Sequence, residues 1–592
     1  MMMKNSRLAA LVAAGALLLG GLAAVPASAA VAACKAGQAC SGDLSRGLGK
    51  YDIKIPATGF NGTVLVYFHG YKFSKDAPIP TSLGSVLGYG ADKTYTTVPG
   101  VGFAGNGTAE VAPENSAALI GALQADGFAL AGVGYGARQG WATQEAYLAG
   151  QELIKNIRAG QVPGVKKVIV WGNSLGGLNA QIQAEKNKQV DAALPMCSAY
   201  ANVDGSLAIA QDALWVFKSV AGLPLKMTYS WGTAGYMEAA QDLNIALGLL
   251  LTVSADAAPG REATTTEQYW SAVTKAPIAA FPGVKGVPLR NVALLAGLIA
   301  GIPEASSTYD GLATGGAIIA SQLNSTAAMA ENLSSAIALG VLAKYEAEMR
   351  IRQQNGLVTG SVNFVDNTKI NYSARMDDDI QAQYEVFFNL TGGFAKKADG
   401  TLDLTAPLSN NELYDTLVTA VNTQTGRLKA VPAAVAAVKK WPQVTGAVRV
   451  PTISMHPEID NVTPAGNQLL LQSKYNAYLA KLPKKQKAAA TKAGNLVLLY
   501  QDAPDDGWTT FAATGAVDAA ATAAKRLSGV GHCAGAANAQ VTGGQMIGGI
   551  KALNAWITTG AKGKAAVTAL RNNPTLLFQT DDFWEPAPLK RK

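Results

Sequence analysis

Three histidines, His69, His456 and His532, serve a chain of 592 residues, so any chemistry that needs an imidazole has three candidates for it. A serine that would need such a base stands in Gly172-Asn173-Ser174-Leu175-Gly176. Glycine on both flanks permits a strand-to-helix turn too tight for larger side chains, and that turn pushes the serine out at the carboxyl edge of a sheet. A serine hydroxyl is a weak nucleophile at neutral pH. A base within hydrogen-bond reach activates it, and a carboxylate orients the base. His69 directly follows an apolar run and reads as a structural side chain in a turn. His456 precedes a candidate acid by four residues and reads as shaping that loop. His532, in Gly529-Val530-Gly531-His532-Cys533, comes after both the serine and the acid and is the expected base. The acid is sought in the turn between His456 and Pro464, which carries Glu458 and Asp460. Asp460, on the far side of the turn, is favoured, and Glu458 is its rival. Supporting the turn or capping the next helix is the other use open to Asp460.

These residues need elements to hold them. Thr63-Val64-Leu65-Val66-Tyr67-Phe68 reads as a buried strand that ends in His69-Gly70. Residues 128–135 repeat the pattern, and 142–157 have helical spacing. A third strand, 167–171, runs straight into the glycine turn and a helix to about residue 188, and 192–197 form a fourth strand. Apolar strands separated by helices indicate a parallel sheet covered on both faces. From 199 to 446 that rhythm is lost in an Ala-, Leu- and Thr-rich stretch with helical segments such as 326–352. The strand pattern resumes at 450–456, with a helix over 464–482, a strand over 495–500 and a final helix near 547–558. The basic run 481–487 reads as a solvated helix face or loop. The expected class is therefore α/β: a sheet flanked by helices, with a large, mostly helical cap inserted between the half that carries the serine and the half that carries the acid and the histidine. The boundaries are 1–29 for a leader, 30–198 and 447–578 for the two halves of the core, 199–446 for the cap, and 579–592 for a basic tail.

Composition narrows the chemistry further. Hydrophobic residues make up 49% and charged residues 15%, and the net charge of +8 is scattered, with no basic stripe that could track phosphates. Nucleic acid is not an expected partner. Three histidines and four cysteines leave little for a multi-ligand metal site, so no metal or cofactor is expected. Lys4 and Arg7, an apolar run over 8–25 and Ala27-Ser28-Ala29 have the layout of a secretory signal peptide cleaved after Ala29. No later apolar run reaches the roughly 20 residues that a membrane span needs, so the mature chain is expected to be secreted and extracellular. Val31-Ala32-Ala33-Cys34 looks like a lipobox, which makes a lipid anchor at Cys34 the alternative. Export permits disulfides. Cys34 and Cys40 are close enough to close a small loop, whereas Cys197 and Cys533 could be joined only by the fold.

Taken together, the strand leading to His69-Gly70-Tyr71, the glycine-flanked Ser174, the Asp460 turn with Val462-Thr463-Pro464, and Gly531-His532-Cys533 resemble the α/β-hydrolase superfamily, over about residues 50–198 and 447–560. The resemblance implies that Ser174 is the nucleophile, His532 the base and Asp460 the acid. It also implies that the backbone N–H groups of Tyr71 and Leu175 form an oxyanion hole. The implied activity is a serine carboxylic ester hydrolase working through an acyl-enzyme. His532-Cys533 further resembles the tannase and feruloyl esterase branch, in which a cysteine after the catalytic histidine is tied to one before the catalytic serine. Here Asn173 precedes Ser174, and Cys197 is the candidate to take that place. The cap implies a pocket for hydrophobic or aromatic groups of a small-molecule or polymeric ester. Trp141 reads as a packed core residue in preference to a pocket wall. Two alternatives stand beside this reading: an exported aminopeptidase of the same fold, with Glu331, Glu346 or Glu348 to hold a free amine, and a non-catalytic binding protein that kept the scaffold.

Overall fold

The structure, a computed structural model, describes residues 32–72, 109–136, 140–256, 263–269, 284, 286–300, 325–357, 359–375, 411–457, 460, 462–501, 532–533, 541–576 and 578. Its centre is an eight-stranded sheet of order β1-β2-β4-β3-β5-β6-β7-β8. In chain order the strands are β1 (Ala39–Asp43), β2 (Lys50–Lys54), β3 (Thr63–Phe68), β4 (Ala129–Val133), β5 (Lys167–Asn173), β6 (Ala192–Met196), β7 (Thr452–Pro457) and β8 (Leu496–Gln501). β1 and β2 run antiparallel at one side, and β3 through β8 are parallel. Every residue of β3, β4, β6 and β7 is buried, as expected of unalternating apolar runs covered on both sides. Phe68 pairs with Gly172, so β3 and β5 end side by side. That register brings the turn at His69-Gly70-Tyr71 next to Ser174.

Along β3, successive side chains go to opposite faces. Leu65 and Tyr67 join a cluster with Leu119, Leu123, Met546, Ile550 and Leu553, whereas Val64, Val66 and Phe68 join one with Ala146, Leu153, Ile154, Ala180 and Ala184. The first three helices are α1 (Ala117–Ala125), α2 (Thr143–Asn156) and α3 (Leu175–Lys186). Between β6 and β7 come α4 (Asn202–Val220), α5 (Gly232–Asp256), α6 (Leu289–Ala300), α7 (Ser325–Asn355), α8 (Asn411–Thr423) and α9 (Pro432–Val438). After β7 follow α10 (Gly466–Lys481), α11 (Lys484–Ala493), α12 (Gly543–Thr559) and α13 (Ala561–Arg571).

Helix α3 is buried from Leu175 to Glu185. Its small residues Ala180 and Ala184 face the sheet cluster, and Leu175, Leu178 and Ile182 belong to the cluster that continues into α4–α9. The helical segment leaves and rejoins the sheet half at one place. Asn202 and Val444 exchange hydrogen bonds, and the buried carboxylate of Glu185 accepts the N–H groups of Thr445 and Gly446 and the Thr445 hydroxyl. Within the segment α4 and α7 are in close contact: a Cβ built on Gly340 would stand 2.2 Å from that of Ala210.

The six parallel strands, β3 to β8, and the long helices lie within a few residues of the spans read from sequence. The antiparallel strands β1 and β2, the helix α1 and the terminal helix α13 are not among those expectations. The lipid-anchor alternative is overturned, because the Cys34 sulfur is bonded to Cys40 and leaves no thiol for a lipid. The expected leader, 1–29, and the basic tail, 579–592, lie outside the described residues. Among the described residues no helix is long and apolar enough to cross a membrane. The basic run lies at the start of α11, a helix without a buried residue.

Candidate active site

Ser174 joins β5 to α3 with φ 58° and ψ −126°, a conformation that L-residues rarely adopt. Its N–H donates to the Met196 carbonyl at 2.9 Å. The flanking glycines are sterically required. A Cβ on Gly172 would stand 2.5 Å from the Phe68 carbonyl oxygen, and one on Gly176 only 1.9 Å from the same oxygen. Leu175 is the first residue of α3, so its N–H has no intrahelical acceptor and lies at the positive end of the helix. On the other side, a Cβ on Gly70 would be 3.6 Å from the Cβ of Ser174, which sets the turn bearing Tyr71 against the serine.

Asp460 is fully buried. Its Oδ1 accepts the N–H groups of Val462 at 2.9 Å and Thr463 at 2.7 Å, and its two oxygens lie 2.8 and 3.0 Å from Nδ1 of His532. Burial pushes the carboxyl pKa up. The charge and hydrogen bond of His532, the neighbouring His456 and the Thr463 N–H outweigh it and hold the group below its ordinary value. An ionised carboxylate at Nδ1 keeps the proton there and leaves Nε2 as the acceptor. Nε2 of His532 is buried without a hydrogen-bond partner among the described residues, and His532 lines the same cavity as Ser174. Glu458, the rival acid, lies outside the described residues.

Cys197 links the acid turn to the histidine. Its carbonyl accepts the Thr463 hydroxyl at 2.9 Å, its N–H donates to Met455 at 2.8 Å, and its sulfur is bonded to Cys533, the neighbour of His532. The Cys533 carbonyl in turn accepts the N–H of Val541, just ahead of α12.

The other two histidines do not line the cavity. His69 is buried, with Nδ1 2.8 Å from the Gly70 carbonyl and its ring stacked on Tyr135 at 3.8 Å, while the Tyr135 hydroxyl donates to the His69 carbonyl. Burial, and then the charge of Lys72, lower its pKa to about 3 against a smaller pull upward from the Gly70 carbonyl. His456 is likewise buried, with Nδ1 2.7 Å from the Pro457 carbonyl, and burial lowers its pKa.

The cavity has a volume of about 1140 Å³. Gly70, Tyr71, Ser174, Leu175, Thr463 and His532 are among its lining residues. Leu207, Ile209 and Ala210 of α4 with Ala336, Gly340 and Ala343 of α7 supply an apolar wall. Trp141, expected in the core alone, packs in the large cluster and also lines the cavity. Lys72 and Glu110 form a largely buried ion pair in the lining, beside Glu114 and Asn115, which both have positive φ. Sequence reasoning missed this polar part, because the partners are 38 residues apart with no motif to link them. Of the acids named for an amine site, Glu348 accepts from Lys344 and from the Tyr229 N–H. Glu346 accepts from the Tyr71 hydroxyl. Neither lines the cavity, and the side chain of Glu331 lies outside the described residues.

No protein-family model matches the chain, and no curated protein matches its sequence. Solved structures do. An esterase from Aspergillus oryzae shares 11% identity over 76% of this chain and 68% of its own, with a TM-score of 0.28. Feruloyl esterase B from Aspergillus oryzae shares 10% over 78% and 71%, with a TM-score of 0.29. Tannin acyl hydrolase from Aspergillus niger shares 11% over 76% and 70%, with a TM-score of 0.27. The chain's own sheet order, its parallel crossovers and the tight serine turn between β5 and α3 give it the α/β-hydrolase fold.

Proposed function

We propose that the protein is a secreted serine hydrolase that cleaves carboxylic esters of hydrophobic or aromatic groups. One observation carries the reading: a buried, ionised Asp460 holds Nδ1 of His532, whose Nε2 is left unpartnered in the cavity that also holds Ser174 on its strained turn. Ser174 Oγ attacks the ester carbonyl carbon as its proton passes to Nε2 of His532. The oxygen that becomes negative accepts from the backbone N–H groups of Tyr71 and Leu175. The bond to the alcohol then breaks, and the leaving oxygen takes the proton from His532. Water, deprotonated by the same Nε2, attacks the acyl-enzyme and releases the acid and Ser174. Asp460 orients the ring and stabilises the imidazolium formed at each attack.

The apolar wall from α4 and α7 favours an apolar acyl or alcohol group, and the two disulfides support passage through an oxidising compartment. The test is release of p-nitrophenol from acyl esters of increasing chain length, with Ser174→Ala and a panel of aminoacyl anilides run beside it. Ester turnover lost in Ser174→Ala is the expected result. Anilide cleavage in its place would favour the aminopeptidase alternative, and silence on both in a folded protein would favour a binding protein.

A further inference from the structure

The longest helix described, α7, reaches the sheet half through two side chains one turn apart. Glu346 accepts a hydrogen bond from the Tyr71 hydroxyl. Arg350 pairs with Glu145 of α2 while its guanidinium lies 5.1 Å from the centre of the Trp441 ring. Residues four apart on a helix share a face, and both side chains are more than nine-tenths buried. The two contacts have different targets. Arg350 fastens α7 to another helix, whereas Glu346 fastens it to the turn after β3.

Among the described residues, that turn is also held from the sheet side. The Lys72 carbonyl accepts the Gly140 N–H at 2.6 Å, the Lys72 ammonium pairs with Glu110, and the Tyr71 ring meets Trp141 edge-on at 5.6 Å. Those contacts fix Lys72 and one edge of the Tyr71 ring. The hydroxyl at the ring's far end is bound by a residue 275 positions away in the chain.

We infer that Glu346 is a positioning residue: through the Tyr71 hydroxyl it sets where the Tyr71 backbone N–H stands relative to Ser174, so that the helical segment governs the oxyanion hole. The role rests on the ester-hydrolase reading above, which gives that N–H its function. An oxyanion donor interacts more strongly with the transition state than with the bound ester, so loosening it lowers kcat and leaves KM in place. The Arg350–Glu145 pair keeps α7 docked when Glu346 is removed, which separates the two effects.

The experiment uses the full-length oxidised protein and a p-nitrophenyl ester. Tyr71→Phe and Glu346→Ala are each expected to lower kcat about tenfold with KM within twofold, since small displacements at the reacting centre are felt strongly. The double variant falls no further than either single, and Glu346→Gln, which keeps an acceptor, recovers most of the loss. Arg350→Ala, which loosens the same helix without touching Tyr71, keeps kcat within twofold. Unchanged kcat in Tyr71→Phe and Glu346→Ala, additive losses in the double, or an equal loss in Arg350→Ala would overturn the positioning role. A double-mutant cycle for Tyr71 and Glu346 in urea reads the contact without catalysis, and a coupling of zero would also overturn it. Wild-type protein with no Ser174-dependent turnover would remove the hydrolase reading and this role with it, while the cycle would still report on the contact.

Discussion

Replacing His69 by Asn should make the protein less sensitive to acid. The ring is 1% exposed and its pKa is lowered to about 3 from an ordinary value of 6.5. As the pH falls, the unfolded chain therefore takes up this proton first. The stability held by the neutral ring is complete above about pH 6.5, erodes by about 1.4 kcal/mol per unit below it, and stops changing under about pH 3. Between pH 7.5 and pH 5 that comes to about 2 kcal/mol. Asn can still donate to the Gly70 carbonyl but does not titrate. The comparison isolates His69 for two reasons. His456, also lowered by burial, is present in both proteins and cancels in the difference. Asp460, held below its ordinary value of 3.8, contributes stability that is present above that value and is lost as the pH falls through its lower folded value, outside the range used. Urea unfolding followed by tryptophan fluorescence at several pH values gives the two curves. Wild type is expected to lose about 2 kcal/mol more than His69→Asn across the range, and parallel curves would refute a buried, neutral His69.

Other outcomes follow from the site. Asp460→Asn should lower kcat by about 10⁴-fold with the fold retained, because the amide no longer holds the proton on Nδ1, and steady-state kinetics on a p-nitrophenyl ester reads it. Gly176→Ala places a methyl group 1.9 Å from the Phe68 carbonyl oxygen, and the resulting shift of β3 or α3 should cost about 1–3 kcal/mol or more in urea unfolding, together with activity. Cys197→Ser opens a bond that spans 336 residues and should lower stability by about 2–5 kcal/mol, with a fall in kcat as the His532 loop loosens. Equal activity in Cys197→Ser and wild type would mean that Val541 and Asp460 suffice to hold the histidine.

The parts of this fold legible in the sequence are those where one local constraint dominates. β3 and β5 read clearly because every position between two covered faces must be apolar, and the serine turn reads because only glycine fits against Phe68. β1 and β2 were illegible for the opposite reason. They form an antiparallel pair at one side of the sheet whose residues are exposed or half-buried, with Ile53 alone fully buried, so no hydrophobic pattern marks them. α13, from Ala561 to Arg571, carries little more than Val567 and Leu570 as its buried anchors. The order of Ser174, Asp460 and His532 can be read along the chain, whereas the contacts between Tyr71 and Glu346 or between Lys72 and Glu110 exist only once the chain has folded. Trp141 was read as core because a large apolar residue gives no sign of a cavity on one of its sides.

The central claim is that Ser174 is the activated nucleophile, and covalent labelling tests it most directly. Wild-type protein treated with a p-nitrophenyl alkylphosphonate should release one equivalent of p-nitrophenol and gain one phosphonyl adduct, located at Ser174 by peptide mapping. Ser174→Ala should gain none, and His532→Ala should react far more slowly. An adduct at another residue, or ester turnover that survives in Ser174→Ala, would contradict the account.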